Sequence, residues 1–330
     1  MAEVYGIGNP LIDILTTVSD TDLEKLSLHK GTMHLIDKQR HRILIDYLKN
    51  KDLVYLPGGS APNTMVTLCS LGVQTTIAGG LGKDELAEEY RKKLKETGVR
   101  DELVGKDEPT GTSVILLSED RERTMNTFLG ANHLYDENDV NLESVSKASL
   151  FYFTGYMWDT KEQKSAIRKV LKFCTENNIK VAFDVADPFA VGRYRDEFLE
   201  LIEKHCDIVF ANNSEARQLF DKYEAYECCK KLGKICNIAV VKNGKRGSFT
   251  CENGVITEIP MQGKSTPIDT TGAGDTYAAG FLFGYVNGLT IEKCGMIASY
   301  LAGEIVNQMG AQFSKEKSKE VRDHIMKTYF

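Results

Sequence analysis

The chain has 330 residues, 42% hydrophobic and 27% charged, which suits a globular protein of one large domain with an insertion, or of two domains. Its formal charge of −6, from 41 basic and 47 acidic side chains, argues against a nucleic-acid partner, because such proteins carry an excess of basic residues. The eight cysteines show no metal-ligand spacing. With no signal peptide or membrane-length apolar stretch in view, we expect a reduced cytoplasmic protein with no membrane partner.

The first strand is predicted at residues 4–8, where a short apolar run ends in glycine. Gly6-Ile7-Gly8 begins like a dinucleotide fingerprint, but the third glycine is missing and Pro10 opens no convincing helix, so a Rossmann site is disfavoured. The loop then reaches Asp13. A loop aspartate is usually a turn residue, although the end of a first strand is also where a ligand contact would lie.

A glycine-rich segment leads into a helix predicted at 65–71. It reads Leu56-Pro57-Gly58-Gly59-Ser60-Ala61-Pro62-Asn63-Thr64, with Pro62 suited to a helix start. Taken by itself, this segment predicts only a tight turn before a capped helix. Strand pieces at 14–18 and 32–36 precede it.

Two strands joined by a charged turn interrupt the alternation of strands and helices. They are predicted at 111–117 and 123–128, after a strand at 74–79 and a helix at 84–97. We expect them to join the earlier strand pieces in a small sheet that covers the site.

After residue 150, strands and helices alternate regularly. Strands are predicted at 151–154, 180–184, 207–211 and 238–242. This order predicts a mostly parallel central sheet with helices on both faces, and ligands at the carboxyl ends of its strands. We therefore expect five residues to converge on one edge: Asp13, Gly58, Asp184, Asn212 and Asp275.

The segment Asp269-Thr270-Thr271-Gly272-Ala273-Gly274-Asp275-Thr276 runs into an apolar helix predicted at 277–285. The first N–H groups of a helix lack intrahelical partners and carry partial positive charge, and glycines let a phosphate approach them. Asp275 would stand beside that anion as a base for an attacking hydroxyl. Alone, Gly-Ala-Gly-Asp is more often a turn and a cap; a second glycine-rich entry in the chain favours a ligand cradle.

Both glycine-rich segments resemble signatures of the ribokinase-like (PfkB-type) carbohydrate kinases. Gly58-Gly59-Ser60-Ala61-Pro62-Asn63 is similar to the N-terminal double-glycine signature, and the string from Asp269 to Asp275 to the C-terminal one. Gly8-Asn9-Pro10-Leu11-Ile12-Asp13, together with Ser60, resembles the adenosine kinases and other nucleoside kinases within the family. The resemblance covers essentially the whole chain.

The fold implied by this resemblance is ribokinase-like α/β, with a central mostly parallel sheet flanked by helices on both faces and a small β-sheet lid. It implies one domain over residues 1–330, with a lid from inserted segments at about 13–40 and 110–130. The implied reaction is ATP-dependent phosphorylation of the 5′-hydroxyl of a purine nucleoside, first of all adenosine to AMP in purine salvage.

The resemblance also implies roles for single residues. Asp13 would bind sugar hydroxyls, because an ionised carboxylate accepts hydrogen bonds from a vicinal diol, and Asp275 would be the general base. Further implied groups are the ribose cradle of Gly58, Gly59 and Asn63 with Asn9 nearby, the base pocket of Met33, Leu129 and Ala131, and the anion hole of Gly272, Ala273 and Gly274. For the base-pocket residues, ordinary lid packing is an equally good interpretation.

The nucleotide side of the site depends on two weaker matches. Asn212-Asn213-Ser214-Glu215 is similar to the family's Asn-x-x-Glu motif. In that motif Asn212 would belong to the ATP site, and Glu215 would place Mg²⁺ through water near the ATP phosphates. Alone, it is a helix N-terminus capped by Ser214. Lys242, Gly244 and Gly247 match the turn of the ATP site, although the family's sugar kinases often have Thr at the position of Lys242.

Three smaller expectations complete the site. Arg123 could swing over the phosphates from the lid, but a surface arginine is favoured. Gly310-Ala311-Gln312 resembles a segment that closes a monovalent-cation loop in ribokinases, so a K⁺ effect stays open. We expect no metal role for His133 or His205, and Trp158 is expected in the core or at its rim.

Departures from the adenosine-kinase pattern keep other substrates open. Pro62 and Thr271 stand where adenosine kinases commonly have Gln and Asn, so a kinase for ribose, fructose or a related sugar is the main alternative. Inosine or guanosine could replace adenosine. A non-catalytic nucleoside- or sugar-binding protein is disfavoured because residues 272–275 are intact. Monomer and homodimer both stay open.

Overall fold

The computed structural model describes residues 3–120, 122–263 and 267–330. In these residues the strands are β1 (Glu3–Ile7), β2 (Leu11–Thr17), β3 (Met33–Leu35), β4 (Val54–Gly58), β5 (Gln74–Leu81), β6 (Arg100–Gly105), β7 (Thr112–Leu117), β8 (Arg123–Phe128), β9 (Leu150–Thr154), β10 (Lys180–Asp184), β11 (Ile208–Asn212), β12 (Ile238–Lys242), β13 (Ser248–Glu252) and β14 (Val255–Ile259). The helices are α1 (Asp20–Lys25), α2 (Lys38–Leu48), α3 (Ser60–Ser70), α4 (Glu85–Thr97), α5 (Leu142–Val145), α6 (Lys161–Asn177), α7 (Pro188–His205), α8 (Asn213–Phe220), α9 (Ala225–Leu232), α10 (Ala273–Val286), α11 (Ile291–Ile305) and α12 (Lys315–Tyr329). No helix among these combines the length and apolar character needed to cross a membrane.

The large sheet has the strand order β14-β13-β12-β11-β10-β9-β1-β5-β6. From β12 to β6 every neighbouring pair is parallel, whereas β13 and β14 add an antiparallel edge. Its central strands are short runs of buried residues, such as Leu150–Thr154 and Ile208–Asn212, as expected for parallel strands covered on both faces. The prediction of a mostly parallel central sheet is confirmed.

Two hydrophobic cores lie on opposite faces of this sheet, because side chains alternate along each strand. In β9, Tyr152 belongs to the core that contains residues of α3, α10 and α11. Its neighbours Phe151 and Phe153 belong to the core that contains residues of α6, α7 and α9. Trp158 is buried in this second core, and its Nε1 donates to Glu197 (2.9 Å), so its predicted core location is confirmed.

The smaller sheet has the order β3-β8-β7-β2-β4, which confirms the predicted pairing of the hairpin strands with the earlier pieces. The sequence did not indicate β4, since Pro57 and two glycines disfavour a strand. As an edge strand, β4 tolerates a proline. It pairs antiparallel with β2, with Gly58 opposite Leu11, and this register brings the double-glycine segment next to Asp13.

Both glycine-rich segments begin their helices earlier than predicted, at Ser60 rather than 65 and at Ala273 rather than 277. The residues before them, Gly59 and Gly272, have φ of 103° and 71°, a region that favours glycine. A Cβ on Gly59 would lie 2.1 Å from the carbonyl oxygen of Asn9. The chain therefore turns into each helix at the glycine itself.

Candidate active site

A cavity of about 740 Å³ lies between the smaller sheet and the carboxyl edge of the large one. Of the five residues expected to converge on this edge, the cavity is lined by Asp13, Asp184, Asn212 and Asp275. Gly58 is buried just behind the lining, and a Cβ on it would lie 2.5 Å from the carboxyl group of Asp13. Strand ends from both sheets and the starts of α3 and α10 thus meet at one site.

The start of α10 lies on the cavity wall. Gly272, Ala273 and Gly274 line the cavity and Asp275 lies in the first turn, where helix N–H groups have no intrahelical partner. A Cβ on Gly272 would lie 2.6 Å from the Cβ of Ala311. This geometry offers an anion the positive end of a helix.

Asp275 is held at both carboxylate oxygens. The Ser60 hydroxyl donates to Oδ1 (2.6 Å), and the Asn63 amide donates to Oδ2 (3.1 Å). Gln312 donates to Oδ1 of Asn63 (3.0 Å), which turns the NH₂ group of Asn63 toward Asp275. Burial raises the pKa of Asp275 to about 6, against the opposing effect of its two hydrogen bonds. Such a carboxylate can accept a proton near neutral pH.

The Asp13 side chain faces the same cavity, and its carboxylate accepts no hydrogen bond from a side chain or backbone N–H in the described ranges. Burial raises its pKa to about 7, repulsion from Asp275 adds to this, and Arg123 opposes it. Its oxygens are therefore open to ligand hydroxyls. By contrast, Asn9 is occupied, because its Oδ1 accepts from Gln163 (2.7 Å).

Two of the three predicted base-pocket residues line the cavity, and the third does not. Met33 and Leu129 line the cavity. Ala131 is buried away from the lining, with its carbonyl oxygen beside Gly80. Four further apolar residues of the smaller sheet line the cavity and were not predicted, although the alternation of side chains along each strand could have indicated them: Leu11, Leu35, Ile115 and Met125.

Arg123 is not the surface arginine that the sequence favoured. Its side chain is 14% exposed and forms an ion pair with Asp269, which is 1% exposed. Asp269 also accepts from the backbone N–H of Thr271 (2.7 Å) and of Gly310 (2.9 Å). Although burial works against its charge, these bonds and Arg123 lower the pKa of Asp269. The pair links the smaller sheet to the loop before α10.

Asn212 and Glu215 form a reciprocal cap at the start of α8, so Asn212, and not Ser214, is the capping residue. The backbone N–H of Glu215 donates to Asn212 Oδ1 (2.9 Å), and that of Asn212 donates to Glu215 Oε2 (2.7 Å). Burial raises the pKa of Glu215 to about 7, while Lys242 opposes this rise. The described residues contain no group of three acidic, histidine or cysteine side chains that could hold a metal ion.

Lys242 lies at the end of β12, and its Nζ is 2.8 Å from Oδ2 of Asp184. Gly244 and Gly247 follow in a tight turn, with φ of 58° and 80°. A Cβ on Gly247 would lie 2.1 Å from the carbonyl oxygen of Ile259, so only glycine fits there. These three residues line the cavity, as do Asn212 and Glu215, the other residues predicted on the nucleotide side.

Part of the cavity wall is formed by residues that no sequence pattern indicated. They come from the segment after β14 and from α11 and its end: Met261, Gln262, Ser299, Ala302, Gly303 and Val306. Gly303 packs against the backbone, since a Cβ on it would lie 2.1 Å from the carbonyl oxygen of Gln262. The cavity wall thus includes residues of α11 as well as of the smaller sheet and the start of α10.

The remaining histidines and cysteines contribute no candidate site in the described residues. His133 contacts the carbonyl of Gly130 (2.5 Å) and His205 contacts Thr175 (3.2 Å). All eight cysteines are free thiols.

Residues 32–318 match the model of the pfkB family carbohydrate kinases. A relative called adenosine kinase from Dictyostelium discoideum is 31% identical, covering 96% of this chain and 98% of the relative. The solved structure of adenosine kinase from Sinorhizobium meliloti is 34% identical, with a TM-score of 0.91 and coverage of 98% and 99%. A probable sugar kinase from Rhizobium etli is 32% identical, with a TM-score of 0.92 and coverage of 98% of both chains.

These matches extend over nearly the whole chain, and both signature segments line one cavity. The chain is therefore a phosphotransferase with an alcohol acceptor, and it belongs to the pfkB family of carbohydrate kinases.

Proposed function

We propose that the protein transfers the γ-phosphoryl group of ATP to the 5′-hydroxyl of a purine nucleoside, with adenosine as the principal substrate and AMP as the product. The observation that carries the proposal is the position of Asp275, a buried base at the start of α10, in one cavity with the unbonded carboxylate of Asp13. The relatives from Dictyostelium discoideum and Sinorhizobium meliloti, both called adenosine kinases, support it.

The substrate lies between these two carboxylates in our proposal. Asp13 accepts hydrogen bonds from the ribose diol, with Gly58, Gly59 and Asn63 around the sugar and Asn9 behind it. Asp275 takes the proton of the 5′-hydroxyl as the oxygen attacks phosphorus. The backbone N–H groups at Gly272, Ala273 and Gly274 then receive the charge of the transferred group.

The apolar side chains of the smaller sheet receive the base. Met33, Leu35, Ile115, Met125 and Leu129 surround the end of the cavity beyond Asp13. A flat purine buries apolar area against such a wall, whereas a free hexose or pentose has little apolar surface to bury. The smaller sheet, with the segments at about 13–40 and 110–130, acts as the lid of a single domain and excludes water during transfer.

ATP occupies the opposite part of the cavity, where Lys242, Gly244 and Gly247 form one wall. Glu215 and Asp184 present the hard oxygen ligands that Mg²⁺ prefers. Because no three-ligand cage exists among the described residues, the ion would be held mainly by phosphates and water, with Glu215 reached through water. Bound there, Mg²⁺ would neutralise phosphate charge. A K⁺ effect through residues 310–312 stays a prediction.

A sugar kinase is the second candidate, favoured by the similarity to the probable sugar kinase from Rhizobium etli. Pro62 and Thr271 also depart from the adenosine-kinase pattern. A nucleoside kinase would place a purine base against the apolar side chains of the cavity, whereas a sugar kinase would have no such group to place there.

ATP consumption with adenosine, inosine, guanosine, ribose and fructose tests the proposal. We expect the highest kcat/KM with adenosine and product identified as AMP by mass. Turnover of ribose or fructose with no response to nucleosides would establish the sugar-kinase alternative instead.

A further inference from the structure

Lys242 presents a partly free ammonium group next to the anion-binding start of α10. Its side chain is 16% exposed and lines the cavity. A Cβ added at Gly274 would contact Nζ at 3.4 Å, so the ammonium lies beside the second glycine of the helix start. Only one hydrogen bond from Nζ is made within the described residues, to Asp184, which leaves two N–H donors for a ligand.

Asp184 holds the ammonium in this position. Its Oδ2 accepts from Lys242 (2.8 Å) and its Oδ1 accepts from the backbone N–H of Ala186 (3.1 Å). Ala186 has φ of 69°, a left-handed conformation that is unfavourable for alanine. The Tyr156 hydroxyl donates to the carbonyl of Ala186 (3.3 Å) and fixes this bend. A strained backbone is thus maintained where it orients the partner of Lys242.

The charges around the cavity single out Lys242. Asp13, Asp184, Glu215 and Asp275 all line it, and a phosphate would add further negative charge. Lys245 also lines the cavity but is exposed, and Arg123 lies on the smaller sheet, where it is paired with Asp269. Lys242 is paired with a carboxylate oxygen of Asp184 at 2.8 Å, and lysine side chains are ordinarily cationic at neutral pH.

We propose that Lys242 is a catalytic residue that donates hydrogen bonds to the transferred phosphoryl group, and that Asp184 is its positioning residue. This inference rests on the proposed function. In the transfer, the acceptor oxygen bonds to the γ-phosphorus and the bond from phosphorus to the bridging oxygen breaks, with its electron pair leaving on ADP. The hydroxyl proton passes to Asp275. Lys242 keeps its protons throughout and balances charge on the phosphoryl oxygens.

The test compares Lys242→Met, Lys242→Arg and Asp184→Asn with the wild type. Lys180→Met is the matched control, because Lys180 forms an ion pair of the same length with Asp207 (2.8 Å) at the opposite end of β10. We measure kcat and both KM values, and the affinity for inorganic tripolyphosphate by calorimetry. Tripolyphosphate needs no acceptor and no turnover.

We expect Lys242→Met to lower kcat by about 100-fold, as for loss of one oriented donor to the transition state, with less than threefold change in the KM of the acceptor. Tripolyphosphate affinity falls about tenfold or more. Lys242→Arg should restore part of kcat and part of the tripolyphosphate affinity. Asp184→Asn should give values of both quantities between those of Lys242→Met and the wild type, and Lys180→Met should leave both quantities unchanged. If Lys242→Met does not fold with Asp184 unpaired, the double variant Lys242→Met/Asp184→Asn carries the same expectation.

Wild-type kcat and wild-type tripolyphosphate affinity in Lys242→Met, or in the double variant, would overturn the inference. Equal losses in Lys242→Met and Lys180→Met would overturn it too, since the effect would then be general to charge removal. A wild type inactive with every acceptor of the panel would refute the proposed function instead. In that case the tripolyphosphate comparison still decides whether Lys242 binds phosphate.

Discussion

The amide of Asn63 donates to Oδ2 of Asp275 (3.1 Å), joining the two glycine-rich segments of the chain at the candidate base. These residues stand 212 positions apart. Since Gln312 in turn donates to Asn63 (3.0 Å), three distant parts of the chain fix the direction in which the carboxylate points. The predictions below follow from this network and from its charges.

Replacing Asp275 by Asn should lower kcat by about 10²–10⁴-fold, because an amide cannot accept the hydroxyl proton. Substrate binding should persist, since the side chain keeps its shape. Turnover and adenosine binding by calorimetry check both parts. Asp107→Asn, at an exposed site, serves as the control and should behave as wild type. Wild-type turnover in Asp275→Asn would remove the base assignment.

Removing the hydrogen bond from Gln312 to Asn63 should lower kcat less than removing the one from Asn63 to Asp275. Asn63→Ala deletes a donor to Asp275, whereas Gln312→Ala only frees the Asn63 amide to rotate. We expect kcat to fall by roughly tenfold or more in Asn63→Ala and by less in Gln312→Ala. The double variant should be no worse than Asn63→Ala alone, because both act through one contact. Additive losses would contradict this shared route.

The pH dependence of kcat should report the ionisation of Asp275. With a pKa raised to about 6, the carboxylate is protonated and inactive as a base in acid. The rate should therefore rise about tenfold per pH unit below this value and level off above it. A rate independent of pH between 5 and 7, with chemistry rate-limiting, would speak against a titrating base.

Burial of Asp13 should make folding stability depend on pH. Its pKa is raised to about 7 in the folded chain, against about 3.9 when unfolded. Between these values the folded state binds more protons, so its stability falls as pH rises through this range. Asp13→Asn removes that loss, and its Tm should exceed that of the wild type by more at pH 8 than at pH 5.

Asp107→Asn is again the control for the stability measurement, because its carboxyl is exposed and its pKa is lowered. It should show no gain in Tm at pH 8. Equal Tm differences at pH 5 and pH 8 for Asp13→Asn would mean that Asp13 does not titrate as described.

Gly272→Ala should impair both stability and catalysis. The new Cβ would lie 2.6 Å from that of Ala311, at a φ of 71°. Gly254→Ala is a matched control, since Gly254 has φ of 79° but no atom within 4 Å of the added Cβ. Both variants share the strain of an alanine in the left-handed region, about 1–2 kcal/mol. We expect Tm to fall further in Gly272→Ala than in Gly254→Ala, and kcat to fall only in Gly272→Ala.

The large sheet could be predicted from sequence because its parallel strands are short hydrophobic runs that alternate with helices. The strands β4, β6, β13 and β14 could not be predicted, since a proline, glycines or polar residues weaken their pattern. At the site, the two glycine-rich segments gave a local signal for an anion and a base. The pair of Arg123 and Asp269 gave none, because no periodicity connects two charges brought together only by the fold.

The bond between Gln312 and Asn63 also sets an order in time. The two residues are 249 positions apart, so at synthesis rates of about 5–20 residues per second the second is made roughly 12–50 s after the first. For most of that interval Asp275 and α10 have not been made, and throughout it the Asn63 amide lacks the Gln312 side chain that orients it. A nascent chain therefore carries the acceptor half of its pocket while lacking phosphoryl-transfer activity, and competence arrives only as the last helices are added.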